Sequence, residues 1–348
     1  MDDRTEIKDL GEFELIAKIT EGIKLKQATS LVGVGDDAAV LDSGSASAEA
    51  PERIVVTTDM LCEGVHFDLT YAPLKHLGYK AVVVNLSDVC AMNATPTQIT
   101  VGLGISNRFS VEAVEELYSG IHLACERYGV DLIGGDTTSS PSGLTLAITA
   151  LGRAPADSIT LRQGADEGDL LVVSGELGSA YMGLQVLERE KHVFKEAPGA
   201  QPELTGYDEL LERQLKPEAR VDVVKELAQL QVIPKAMIDI SDGLASESLH
   251  LAAAAKKGVR IYEDKIPMNE KMYETAREFN LDPTLCALSG GEDYELLFVV
   301  AQSQFESLQN HPMFSIIGHF TGDPEDRTLV LRNGGEAELK AQGWDSLG

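Results

Sequence analysis

Carboxylates at the ends of apolar segments are the residues in this chain most able to do chemistry. The first half carries them in "GDDAAV" (Asp36, Asp37), "TTDM" (Thr57, Thr58, Asp59), "NLSDV" (Asp88) and "IGGDT" (Asp136). The second half adds "DISDG" (Asp239, Ser241, Asp242) and "SGGEDYEL" (Glu292, Asp293). Singly, each has a structural reading. Asp pairs populate turns, "SDG" before a helix is N-cap chemistry with Ser241 or Asp242 accepting, and "GGD" after a strand is a common turn. Repetition of one device at strand and helix ends is what those readings leave unexplained. Asp88 is the clearest case. Its segment, "AVVVNLSDVCAM", is apolar nearly all round, so Asn85 and Asp88 share a side that does not face water. A buried charge without a partner is costly or takes up a proton. Few lysines or arginines stand near these acids. Divalent ions would satisfy the set, and carboxylates with hydroxyls such as Thr57 suit Mg²⁺.

The elements that must position these residues alternate. Glu12 to Ile23 reads as an amphipathic helix, "AAVLD" and "RIVVTTDM" as strands, and "LKHLGYKAVVVNLSDVCAMNA" as a helix stopped by Pro96. "QITVGLGIS" is a strand, "SVEAVEELYSGIHLACERYG" a helix, "VDLIGGDT" a strand ending in glycines, and "LTLAITALGRA" a strand. This α/β-type alternation gives a first unit over residues 1–155. A second, over 156–348, contains the strand "GDLLVVSGEL" and the helix "SAYMGLQVLERE". "ARVDVVKELAQL" is a helix, "AMIDISDGLASESLHLAAAAKKG" a strand, turn and helix, and "EDYELLFVV" and "FSIIGHFTG" are strands. Lys191 to Tyr207, with two prolines and two glycines, reads as an exposed excursion. The fold class is α+β with mixed sheets flanked by helices. Both halves carry aspartate-rich turns at strand termini.

Composition narrows the function. The 348 residues favour two domains, and a 43% hydrophobic fraction suffices for packed cores. A formal charge of −27 argues against nucleic acid or an anionic membrane as partner, though cations can bridge an acidic protein to a polyphosphate. Four scattered cysteines without a Cys-x-x-Cys pair read as reduced thiols of a cytoplasmic protein. The charged N-terminus lacks a signal-peptide core, and no apolar run is long enough to span a bilayer. There is no phosphate loop ending in Gly-Lys-Ser/Thr, no kinase catalytic-loop signature and no Gly-x-Ser-x-Gly elbow. "GVGDDA" puts an acid where a dinucleotide phosphate would approach.

Side by side, these segments resemble the thiamine-monophosphate kinase family, within the aminoimidazole ribonucleotide (AIR) synthetase superfamily. The matching stretches are "GEFELIAKI", "VGVGDDAAVL", "VVTTDMLCEGVHF", "LGYKAVVVNLSDVCAMNATPTQITVGLGI", "IGGDT", "LRQGADEGDLLVVSGELG", "MIDISDGLASE" and "LSGGEDYELLF". They follow the family's order over most of the chain. The resemblance implies the two-domain AIR synthetase-like architecture and a homodimer formed through the first domain. It implies a role in thiamine biosynthesis: direct transfer of the ATP γ-phosphoryl to thiamine monophosphate with several Mg²⁺ ions, through no covalent phospho-enzyme. By motif match, Asp36, Thr57, Thr58, Asp59, Asp88, Asp136, Asp239 and Asp242 are metal-associated. Gly135, Asp136, Arg162 and Ser241 match ATP contacts, and His66, Glu292 and Trp344 match substrate contacts. Asp37 matches no role and reads as structural, on the opposite side of an extended chain from Asp36. The tail "GWDSLG" replaces an aromatic-Asp-His-Phe ending, and Gln163 stands where serine is common. Alternatives are another ATP-dependent superfamily enzyme and a non-catalytic divalent-ion binder. A selenide, water dikinase would need an N-terminal reactive cysteine, whereas the first here is Cys62. An ion binder would need a compact loop of the EF-hand kind, which is missing.

Overall fold

Alternating sequence becomes half-buried strand throughout the first half. In the computed structural model, which describes residues 11–44, 51–197, 199 and 201–341, "TLAITALGRAP" is a strand whose alternate residues are buried. The first-half elements are α1 (Gly11–Thr20), β1 (Ser30–Val32), β2 (Ala39–Asp42), β3 (Glu52–Cys62), α2 (Leu74–Ala91), β4 (Thr95–Ile105), α3 (Val111–Tyr128), β5 (Asp131–Ser139) and β6 (Thr145–Pro155). The six strands form one sheet, ordered β1-β2-β3-β6-β4-β5, with β4 and β5 parallel and the other pairs antiparallel.

The second half contains β7 (Leu170–Ser174), α4 (Ser179–Glu196), α5 (Asp208–Leu215), α6 (Val221–Gln229), β8 (Ala236–Asp239), α7 (Leu244–Ala255), β9 (Gly258–Tyr262), α8 (Glu270–Glu278), α9 (Pro283–Ser289), β10 (Leu296–Val300), α10 (Phe305–Leu308), β11 (Phe314–Thr321), β12 (Arg327–Val330) and β13 (Glu336–Glu338). Its strands form a seven-stranded sheet ordered β13-β12-β9-β11-β7-β10-β8, in which only the β9–β12 pair is parallel. β8 and β10 are buried at every position, as continuous apolar strands covered on both faces should be. Period two sorts their side chains into two cores. Leu171, Val173, Ile238, Leu297 and Val299 join one, while Val172, Met237, Leu296, Phe298 and Val300 join the other. The mixed sheets flanked by helices are those expected from the sequence.

Helix α2 explains its own composition. Its Val82-Val83-Val84 run is poor helix material, yet nearly every residue from Leu77 to Ala91 is buried, so packing overrides propensity. One side lies on the first sheet and on α3, and Cys90 and Ala91 enter a core of the second sheet. Two glycines let α2 and α3 touch. A Cβ on Gly78 would stand 2.0 Å from the Leu117 carbonyl oxygen, and one on Gly120 would stand 1.8 Å from that of Lys75.

Three expectations change. The "GGD" glycines do not end a strand, because β5 runs through Gly134 and Gly135 to Ser139 beside β4. "EDYE" is not strand; β10 starts at Leu296, after a left-handed loop. The excursion from Lys191 is helix as far as Glu196, and Lys191 lies between Glu188 and Asp68 at 2.9 and 3.0 Å. At its far end Tyr207 is buried with Met182, Val186 and Leu210, which ties the segment to the body.

Candidate active site

Helix spacing and strand alternation bring the acids together. On α2, Ala81, Asn85 and Asp88 lie along one face, at i, i+4 and i+7. Asn85 accepts the Asp59 backbone N–H through Oδ1 at 2.8 Å and donates to the Ala81 carbonyl at 3.0 Å. Asp88 Oδ2 accepts the Thr57 hydroxyl at 2.7 Å. The shared Asn85–Asp88 side anticipated from sequence therefore meets β3. A neighbouring face of α2 meets the second half, where Ser87 Oγ donates to Asp239 Oδ2 at 2.5 Å. Asp239 is the last residue of β8.

The "GVGDDA" stretch is a bend between β1 and β2, and its two aspartates go to different partners. Asp36 accepts the backbone N–H of Arg162 on both oxygens at 3.2 Å and that of Asp37 at 3.2 Å. Asp37, not Asp36, joins Asp88 and Asp239 in a group where one carboxylate oxygen from each lies within 4.8 Å of the others. Alternation assumes an extended chain, and a bend does not obey it. The missing basic partner also exists. Arg162, 125 residues away, donates to Asp37 Oδ1 at 2.5 Å, so the expected scarcity of nearby cations holds along the sequence but not in space.

The remaining candidates divide. Register pairs Asp59 with Ile148, Ile148 with Val101, and Val101 with Gly135, so these face the α2 side of the first sheet. Thr58 and Asp136, one residue out of phase, take the outer face. The Thr58 hydroxyl donates to the Ile148 carbonyl at 2.9 Å, and Asp136 is exposed. A Cβ at Gly135 would meet the Val101 carbonyl oxygen at 2.0 Å, so glycine is required there by close approach. Neither Ser241 nor Asp242 caps α7; Gly243 occupies the cap, and Glu247 Oε1 reaches back to the Asp242 N–H at 3.1 Å. The N-cap reading of "SDG" is thus replaced by a turn held from inside the helix. His66 is exposed, its Nδ1 accepting the Cys62 N–H at 3.0 Å. Trp344 lies outside the described residues.

Glu292 sits in a loop with left-handed backbone at Gly291, Glu292 and Tyr294 (φ 70°, 58° and 51°). Backbone bonds from Glu292 N–H to the Ser241 carbonyl, at 2.7 Å, and from Tyr294 N–H to that of Ile240, at 2.9 Å, hold it beside the "DISDG" turn. Composition had not singled out Ser87, Lys80, Gln214 or Glu247. Lys80 had a signal, as the lone cation between Leu77 and Ala91.

The electrostatics of the group are those of acids short of positive charge. Burial raises the Asp88 carboxyl well above its ordinary range, and the charges of Asp59, Asp239 and Asp37 push the same way. Asp239 is pushed up to about 7 by burial and then by Asp37, against the hydrogen bond from Ser87. Burial, then Asp37, raises Asp36 to about 6; burial, then Glu12, raises Asp242 to about 6. Asp37 Oδ2 is buried without a hydrogen-bond partner, despite Arg162 on the other oxygen. An orphaned carboxylate oxygen among three converging acids, with hydroxyls as the neighbouring donors, fits a hard divalent cation. The cation would reverse the cost of ionising these groups.

The AIR synthase related protein family models match residues 35–154 (N-terminal domain) and 166–330 (C-terminal domain). The thiamine-monophosphate kinase of Aquifex aeolicus (strain VF5) is 34% identical over 292 residues, covering 84% of this chain and 86% of the relative. This chain belongs to the thiamine-monophosphate kinase family. The family's member in Bacillus subtilis (strain 168) is 30% identical over 344 residues, covering 97% of this chain and 99% of that one. The solved structure of AaThiL complexed with AMPPCP and TMP superposes with a TM-score of 0.81 at 30% identity, covering 99% of both chains. The hydrogenase maturation protein HypE in complex with ATP, 18% identical with a TM-score of 0.68, shares the fold.

Proposed function

We propose that this chain is an ATP-dependent phosphotransferase that converts thiamine monophosphate to thiamine diphosphate, with ADP as the other product. The observation that carries the reading is the convergence of Asp37, Asp88 and Asp239 within 4.8 Å, in a chain of this family. Asp36 and Asp59 border that group, Asp242 lies near Arg162, and Thr57 and Ser87 orient Asp88 and Asp239 through their hydroxyls. Together these residues would hold Mg²⁺, which would supply the positive charge needed to offset the negative charge that develops during phosphoryl transfer. Thr58 and Asp136 belong to the metal set by motif match alone. Gly135, Asp136, Arg162 and Ser241 are the nucleotide contacts in this reading. Arg162 is already aimed at the acids, through its backbone N–H on Asp36 and its guanidinium on Asp37.

His66 and Glu292 contact the acceptor, Trp344 completing them by motif match. The acceptor phosphate is ionised at neutral pH and needs no general base, so positioning carries the catalysis and no phospho-enzyme forms. Four free cysteines and the use of ATP support a cytoplasmic enzyme. Among the described residues no helix is long and apolar enough to cross a membrane. The open edge strand β5, exposed at most of its positions, supports a homodimer through the first half. The test is direct: purified chain with Mg²⁺-ATP and thiamine monophosphate should yield ADP and thiamine diphosphate in equal amounts. ADP release that ignores thiamine monophosphate would contradict the reading.

A further inference from the structure

Glu292 is held from two sides by residues without an assigned role. Lys80 Nζ, on α2, lies 2.7 Å from Glu292 Oε1, its side chain only 8% exposed. Gln214 Nε2, on α5, donates to Glu292 Oε2 at 2.7 Å. Lys80 also donates to the Gln214 backbone carbonyl at 3.1 Å, closing a triangle. Both carboxylate oxygens thus have a partner, one from each half of the molecule. The Glu292 side chain nevertheless stays 29% exposed, so lone pairs remain for a ligand. Its backbone lies in the left-handed region at φ 58°, which a non-glycine residue keeps only when its surroundings fix it.

We infer that Lys80 and Gln214 are positioning residues that set the Glu292 carboxylate for the acceptor, so that acceptor affinity depends on the contact between α2 and α5. The inference rests on Glu292 being an acceptor contact, as proposed above. Lys80 stands two turns before Ser87 on the same helix. One rigid element therefore places the partner of Glu292 and the partner of Asp239, setting the acceptor contact and the acid group relative to each other.

A double-mutant cycle on the full chain tests this, with KM measured separately for thiamine monophosphate and ATP. Glu292→Gln should raise the acceptor KM about tenfold; an unchanged acceptor KM there overturns the role of Glu292 itself. With that role intact, Lys80→Met should raise the acceptor KM about tenfold and leave the ATP KM within about twofold. In the Glu292→Gln background the same change should cost less than about twofold. Equal costs in both backgrounds, or parallel rises for both substrates, would mean that Lys80 only holds the fold and would overturn the inference. Gln214→Leu keeps the ion pair and serves if Lys80→Met does not fold. It should raise the acceptor KM about threefold, again only when Glu292 is present. No change in acceptor KM would count against the proposal.

Discussion

Two acid-rich regions lie close together here and balance their charge in opposite ways. In the loop from Glu292 to Glu295 each carboxylate has a partner from the protein. Glu292 meets Lys80, and Asp293 accepts the Gly178 and Ala180 N–H groups at the start of α4 at 2.8 and 3.4 Å. Glu295 meets Arg213 at 2.9 Å, the Ser174 hydroxyl at 2.6 Å, and Arg220. In the group of Asp37, Asp88 and Asp239, one guanidinium and two hydroxyls serve three acids, with Asp59 and Asp36 close by. The first arrangement is finished when the chain folds. The second leaves Asp37 Oδ2 without a partner, a deficit of positive charge that a bound cation would offset.

Substitutions should break the two regions in opposite ways. The largest expected effect is on turnover: Asp88→Asn should lower kinase activity by about 10³-fold. The cation-free protein should lose no more than about 0.5 kcal/mol, because the change removes a charge that its neighbours repel. Chemical denaturation beside a kinase assay checks both halves. Glu295→Gln should do the reverse, costing about 3 kcal/mol by leaving Arg213 and Arg220 without their shared carboxylate. Denaturation of that variant with Mg²⁺ present reads this cost.

The pH dependence of the Mg²⁺ effect sharpens the contrast. Asp36, Asp239 and Asp242 have folded values of about 6, 7 and 6, above the ordinary 3.8. The folded state thus binds more protons than the unfolded one between about pH 4 and pH 7. Their contribution to stability is present at the low end and is lost as pH rises through the folded values. Added Mg²⁺ should therefore raise Tm by several degrees at pH 7.5 and by less than about one degree at pH 5. Thermal scans at both values, with and without the ion, are the check. The smallest effect belongs to surface pairs, which neither region resembles. Breaking Arg153–Glu52, about half exposed at 3.2 Å, by Arg153→Ala should change stability by no more than about 0.5 kcal/mol.

Local periodicity carried much of the fold into view. The half-buried strands β3, β4 and β6 and the helices α2 and α3 announce themselves by alternation or by an apolar face. The acid motifs were visible for the same reason, because charges beside apolar runs are conspicuous. Hidden were facts that depend on distant chain. Arg162 reaches Asp37 only once the two halves meet, so no local window shows the pair. Asp37 was misplaced because bends do not alternate, and Lys80 drew no notice because its partners lie 134 and 212 residues further along. The continuation of β5 through its glycines was hidden too, since the need for glycine at 135 comes from β4.

The central claim is that the three converging carboxylates are a cation site and not a structural cluster. Calorimetric titration of Mg²⁺ into the chain holding a non-hydrolysable ATP analogue, wild type beside Asp88→Asn, tests it most directly. Saturable Mg²⁺ binding by the wild type, and affinity at least about tenfold weaker in a folded Asp88→Asn, is the predicted result. Equal Mg²⁺ affinity in the two proteins would contradict it.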